Sequence, residues 1–330
     1  MPVTDPPTAT PTAASRPRWR NLLKWGALLV VAVFAAVFVV QEWSGFVAGI
    51  RRLDLASVIG AVLAILVGLG CAMLSWRAVL TGLGSRLPVL AAARVYFLGQ
   101  LGKYVPGSVW PIVAQAELSK DYGVPRARAG LASLTQMLIG LVVGVCVAGV
   151  SLALSSPEAF ATYWWLVLVA VAGVVVLLPP VFNRLVALAL RLTRRQTAGA
   201  VGGRAVVASA LWCVGMWLAF GMHLWLLARS IGATGDGLFL LTTGGYALAW
   251  VVGFVIVFLP AGAGAREAAL ILALAPVLPR EDALVLAVVS RFLMLAGDGI
   301  CAGAAILAEK VRMRGRRSGP VSSSGRTGSA

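Results

Sequence analysis

Six stretches of this chain run long and apolar without a single charged residue: Trp25 to Val40, Val58 to Leu74, Leu131 to Leu154, Trp164 to Leu178, Val206 to Leu227 and Leu238 to Leu259. Each reaches or approaches the roughly 20 residues that cross a hydrocarbon layer as a helix. A water-soluble core has no means of hiding so many runs of this kind. Backbone N–H and C=O groups in lipid must be satisfied within the segment, so such runs are helices rather than isolated strands. Charged residues make up only 12% of the chain, against about 25% in soluble domains. The expected fold is all-α, a polytopic transmembrane helical bundle with six to eight crossings.

The spans are expected at 22–40, 57–76, 130–154, 163–182, 205–228 and 238–259, with a seventh at 283–308 that carries Arg291 and Asp298. Residues 1–18, rich in Pro and Thr, read as a disordered leader. Residues 19–311 form one transmembrane domain, and 312–330 are a disordered, basic, Ser/Gly-rich tail. No small-residue cleavage site follows the first apolar run, which is read as a retained span rather than a signal peptide.

The net charge of +16 is distributed by topology. If the spans alternate from a cytoplasmic start, most Lys and Arg residues fall on one side: the leader, the 77–128 region, the 184–204 region and the tail. The other side holds only Arg51, Arg52, Arg229 and Arg280, and Arg266 and Arg291 lie at membrane depth. This positive-inside bias predicts an inner-membrane protein with both termini cytoplasmic. Contacts with anionic headgroups account for the basic residues, and a nucleic-acid partner is not expected. Cys71, Cys146, Cys213 and Cys301 lie in apolar runs without paired spacing and read as small buried hydrophobes. With one histidine and no carboxylate cluster, neither a metal nor another cofactor is expected.

Two segments, 88–122 and 260–281, fit no simple span, and they share a pattern. In each, Pro and Gly fall close together and a short helix follows: Pro106-Gly107-Ser108-Val109-Trp110 in the first, Pro260-Ala261-Gly262-Ala263-Gly264 in the second. Proline removes an amide donor and glycine admits positive φ, so a helix breaks at each. Irregular backbone at membrane depth survives only where it is buried in protein or lines a wet cavity. Corresponding interruptions in two halves of a chain point to a transporter binding site. A headgroup-sized cavity between two re-entrant, broken helices is therefore expected.

Arg266 and Glu267 open the helix after the second break. Free amides and the positive end of the helix dipole suit a lipid phosphate, with Arg266 adding a charge-assisted contact. Glu267 then orients or counter-charges Arg266, binds the cationic part of a headgroup, or only stabilises the first turn. The first segment supplies Lys103, Tyr104, Ser108, Trp110, Gln115 and Glu117. Lys103 and Tyr104 read equally as interfacial anchors. Glu117 reads as a site residue or as a rim carboxylate paired with Lys120. Arg291 and Asp298, two turns apart on one helix face, either bind substrate or pair with another helix. His223 reads as a core residue in preference to a proton relay. The Gly140-x-x-x-Gly144 and Gly299-x-x-x-Gly303 spacings suit close intramolecular helix packing. Gly262-x-Gly264 follows a full span rather than a short strand and lacks a third glycine, so no nucleotide loop is inferred.

The run Lys103-Tyr104-Val105-Pro106-Gly107-Ser108-Val109-Trp110-Pro111 resembles the first signature of the lysylphosphatidylglycerol synthase transmembrane-region family, and Pro260-x-Gly262-x-Gly264-x-Arg266-Glu267 resembles its second. The resemblance extends over about residues 20 to 310. It implies a stand-alone, flippase-type membrane domain with two re-entrant helices, in which Pro106, Gly107, Trp110, Pro260, Gly262, Gly264, Arg266 and Glu267 are site candidates. It does not extend to an aminoacyl-transferring domain, so synthase activity is not implied, and no catalytic constellation is found. The expected function is movement of an anionic or zwitterionic lipid, aminoacylated or polyprenyl-linked forms included, across the inner membrane. The expected ligand is a membrane phospholipid or polyprenyl lipid, and a second copy or a lipid-modifying enzyme stands open as partner. Two alternatives are an enzyme of lipid-linked sugar metabolism and a scaffold or regulator of a lipid synthase. The first needs acidic residues facing a donor, and the outer loops offer no Asp-x-Asp pair.

Overall fold

The computed structural model describes residues 47, 50–104, 109–157, 160–161, 164–178, 180–184, 188, 201–255 and 264–317. The span expected at 22–40 lies outside the described residues. Nine helices are named here: α1 (Leu55–Gly82), α2 (Val89–Gln100), α3 (Trp110–Leu118), α4 (Arg126–Ala153), α5 (Trp165–Leu177), α6 (Gly203–Ser230), α7 (Leu238–Val255), α8 (Ala265–Leu274) and α9 (Arg280–Arg317). Four of them, α1, α4, α6 and most of α9, are long and apolar enough to cross a membrane, and α5 and α7 are shorter apolar helices. The chain is an all-α, multi-pass membrane protein.

The outward surface of the bundle is apolar. Along α1, Leu55, Ile59, Leu63 and Val67 follow one another at four-residue spacing and are all at least half exposed. The opposite stripe, Ala61, Ile65, Leu69, Ala72 and Trp76, is buried. Both faces are apolar because both neighbours are: protein on one side and acyl chains on the other.

Without a hydrophobic drive between helices in lipid, close approach and interhelical hydrogen bonds set the packing. α1 and α6 illustrate this along their length. A side chain at Gly68 would meet the Phe220 ring at 2.4 Å. Two turns from the C-terminal end of α1, the Ser75 and Ser209 hydroxyls are 2.7 Å apart, with Cys213 Sγ 3.2 Å from Ser75 Oγ. Gly140 and Gly144 serve α6 as expected: Trp217 Nε1 donates to the Gly140 carbonyl, and its ring lies against Gly144. Gly299 and Gly303 depart from the expectation. They sit on the exposed face of α9, with no described atom within 4 Å of where a Cβ would stand.

Element ends follow local chemistry. Asp54 caps α1, its carboxylate accepting the Ser57 amide at 2.8 Å. α5 stops at Leu177, short of the span expected to 182, because Leu178 is extended (ψ 129°) ahead of Pro179. α9 runs on to Arg317, beyond the 308 expected, since nothing between breaks it.

In each unusual segment a described helix lies on either side of residues outside the described ones. In the first, α2 tightens into a 3₁₀ turn, Leu101–Tyr104, and α3 starts at Trp110 with Pro111 in its first turn. The neighbours Arg94–Tyr122, Gly99–Gln115 and Gly102–Trp110 make α2 and α3 an antiparallel hairpin. Gly99 and Gly102 are needed there, because a Cβ would stand 2.3 Å from Gln115 Cγ and 2.9 Å from the Trp110 backbone. In the second, α7 leads to α8, which packs beside it with Ala273 against Gly245. α9 then packs on α1, α2 and α8.

Candidate functional site

α9 is the common partner of both broken segments. Its Arg291 donates to Glu267 Oε1 of α8, and both side chains are four-fifths buried. Seven residues on, Asp298 is 4% exposed and faces the first segment. Its Oδ2 lies 2.5 Å from Lys103 Nζ and accepts the Tyr104 hydroxyl at 2.5 Å. Two turns of helix separate these ion pairs by about 10 Å along the axis. Arg291 and Asp298, read from sequence as a pair on one face, thus bind different elements with opposite sign.

The cluster lies well inside the bundle. Toward one end of α9, Asp282 pairs with Arg52 at 2.7 Å, about 13 Å from Arg291 along the helix. Toward the other end, Glu309 pairs with Arg94 and accepts the Tyr122 hydroxyl at 2.6 Å, about 16 Å beyond Asp298.

Arg266 and Glu267 do not pair with each other, contrary to the expectation that Glu267 orients or counter-charges Arg266. Adjacent helical residues point about 100° apart, so one side chain cannot serve the other. Glu267 instead turns to Arg291 and reaches back to its own helix, Oε2 accepting the Gly264 amide at 2.6 Å. That is the returning half of a capping box, and it occupies an amide the sequence reading left for phosphate. Gly264 has φ +84°, a value a side chain would strain. Arg266 turns the other way: its Nη2 donates to the Tyr246 hydroxyl on α7, and its guanidinium lies 4.7 Å from the centre of that ring.

Arg266, Glu267, Leu270, Ala287, Ser290 and Arg291 bound a cavity of about 10 Å³, room for about one water. The Glu267–Arg291 pair lines it, whereas the headgroup-sized space expected between the two Pro/Gly breaks involves residues outside the described ones. Behind its wall His223 is fully buried, with Nε2 2.9 Å from Ser290 Oγ and its ring edge-on to Tyr246 at 4.8 Å.

The remaining candidates are dispersed. Pro106, Gly107, Ser108, Pro260 and Gly262 lie outside the described residues. Trp110 opens α3 and is 39% exposed. Glu117, at the far end of α3, is exposed, paired with Arg126 Nε at 2.8 Å and with Lys120. Those contacts hold its carboxyl down to about 2, Arg126 contributing most. It stands at the basic rim, where its ion-pair partners among the described residues are Arg126 and Lys120 rather than the cluster. Gln115 faces inward: the Ser133 hydroxyl donates to its Oε1, and Trp76 Nε1 donates to Ser133 Oγ at 3.0 Å. Residues 25–300 match the family described as the lysylphosphatidylglycerol synthase TM region. The chain belongs to that family. No curated protein matches it. Membership in the lysylphosphatidylglycerol synthase TM region family makes this a membrane domain of a kind associated with lipid handling. Sequence reasoning had passed over Tyr246, Ser290 and Glu309. A phenol midway through the apolar 238–259 run was the available signal for Tyr246.

Proposed function

We propose that this protein translocates a phosphate-bearing lipid across the inner membrane, with both termini on the cytoplasmic side. The two broken segments act as re-entrant helices that meet at mid-depth, and Arg266, Glu267, Lys103, Tyr104, Arg291 and Asp298 line the headgroup path. The observation that carries this reading is the joining of both segments to α9 by ion pairs deep in the bundle. Ionisable groups at such depth are costly unless paired and mark substrate pathways. The cluster holds three cations, Lys103, Arg266 and Arg291, and two carboxylates, Glu267 and Asp298, which pair with Arg291 and Lys103. The excess positive charge suits a phosphate, with Arg266 as its contact. Separation of Glu267 from Arg291 opens the small cavity so that a headgroup can enter.

The test is lipid scrambling by the purified chain in liposomes, with fluorescent phosphatidylglycerol and its lysyl ester as cargo and Glu267→Gln as control. Movement of one of them that Glu267→Gln abolishes is the expected result. Undiminished movement with a folded Glu267→Gln protein removes this site from the pathway, and no movement of either lipid counts against translocation.

A further inference from the structure

Within this cluster the carboxylates and cations are not equally committed. Glu267 holds Arg291 through one oxygen and the Gly264 amide through the other. Asp298 holds Lys103 and Tyr104. Both negative charges therefore already face a cation of the chain. Arg266 differs. Among the described residues its partner is the neutral Tyr246 phenol, and no carboxylate lies within ion-pairing distance. A phenol oxygen accepting from a guanidinium occupies the position that a phosphate oxygen takes, with less charge.

Tyr246 is held to this task. Its ring is 1% exposed and stands edge-on to His223 at 4.8 Å and tilted against Phe220 at 5.7 Å. His223 is in turn fixed by Ser290, which walls the cavity beside Arg291. Because the ring is packed against His223 and Phe220, the hydroxyl keeps its place, and an incoming oxyanion replaces it as acceptor when the Arg266 guanidinium turns from the phenol to the phosphate. An ammonium finds no such opening, since receiving one requires a carboxylate to give up an internal cation and leave it unpaired at membrane depth.

We infer that the site selects a lipid headgroup that is anionic and bears no cation, with the Tyr246 hydroxyl as an internal stand-in that the lipid phosphate displaces from Arg266. This rests on the reading of the cluster as a lipid site and narrows its ligand class. Tyr246 acts as a positioning residue and as a competitor of the ligand.

The experiment is a binding measurement, independent of transport, on the full chain in nanodiscs of phosphatidylcholine. Native mass spectrometry counts retained lipid on titration with phosphatidylglycerol, its lysyl ester or phosphatidylethanolamine, and Tyr246→Phe is compared with wild type. Phosphatidylglycerol is expected to bind at least tenfold tighter than the other two. Tyr246→Phe keeps the ring over Arg266 and removes the competing oxygen, so it is expected to bind phosphatidylglycerol about tenfold tighter again. Equal or better binding of the lysyl ester overturns the inference, as does failure of phosphatidylglycerol to bind. Unchanged affinity in Tyr246→Phe overturns the role of the hydroxyl. Selective binding without scrambling sinks translocation and leaves this inference standing, whereas scrambling with preference for the lysyl ester does the reverse.

Discussion

The two broken segments look alike in sequence and are secured differently. The first, from α2 to Tyr122, is held at several depths: Lys103 and Tyr104 to Asp298, Gln115 to Ser133, and Arg94 with Tyr122 to Glu309. The second, at the start of α8, is joined to α9 among the described residues through the Glu267–Arg291 ion pair, and its neighbouring arginine rests on a phenol. A segment tied by polar contacts at several depths has little freedom to move, while one tied to α9 through the Glu267 carboxylate loosens when that tie parts. Under the proposed translocation, the difference makes the first segment the frame of the path and the second the part that responds to a headgroup.

If that assignment is right, changes in the second segment damage transport out of proportion to stability. Glu267→Gln has the largest expected effect on function, with scrambling lost while the thermal midpoint in detergent changes little. The amide oxygen of Gln can still cap Gly264, but Arg291 loses the Glu267 charge and holds the anionic cargo more tightly instead of releasing it. A Glu267→Gln protein that melts far below wild type would show that the pair is a structural fastener and erase the contrast. In the first segment the order reverses. Asp298→Asn leaves Tyr104 an acceptor but strips Lys103 of its carboxylate. Breaking such a buried pair costs about 2–3 kcal/mol, at the lower end because the lysine is one-third exposed. Chemical or thermal unfolding should show that loss, with scrambling per folded molecule retained in part. Complete loss of transport in a fully stable Asp298→Asn protein would move the responsive site to the first segment.

Much of this architecture was legible in the sequence, and the limits are instructive. The long spans followed from apolar length alone, since lipid leaves the backbone no alternative to a helix. The breaks expected at Pro106-Gly107 and Pro260 to Gly262 lie outside the described residues, while Arg266, Glu267, Arg291 and Asp298 stood out as ionisable groups at membrane depth. Their pairing was not readable. Arg291 and Asp298 share one helix, and which neighbour each meets depends on how α8 and the Tyr104 turn dock, a tertiary matter with no local signature. Tyr246 escaped notice because a phenol in an apolar run looks like any aromatic filler until the arginine above it is placed. The glycine pairs divided for the same reason: Gly144 meets Trp217, while Gly299 faces outward on an identical spacing.

Gly99→Ala tests the rigidity of the frame with a smaller expected effect. The new methyl would stand 2.3 Å from Gln115 Cγ, so α2 and α3 must part slightly or Gln115 must leave Ser133. Overpacking of this sort costs about 1–3 kcal/mol, visible as a lowered unfolding midpoint. An unchanged midpoint would mean that the hairpin yields freely and is no frame at all.

Glu117→Gln has the smallest expected effect and sharpens the comparison from the other side, because Glu117 belongs to the first segment yet lies outside the cluster. Its pKa is depressed from 4.5 to about 2, chiefly by Arg126 and then by Lys120. A depressed carboxylate pKa contributes stability above the unfolded value and loses it as pH falls from 4.5 toward 2. Between pH 5 and 8 the group therefore stays ionised and adds nothing to any pH dependence of transport. Exposed ion pairs of this kind contribute little and weaken with salt. Scrambling and melting of Glu117→Gln should match wild type across that range at 0.15 M salt. A transport defect in the folded variant would extend the headgroup path to the basic rim, and the first segment would then be more than a frame.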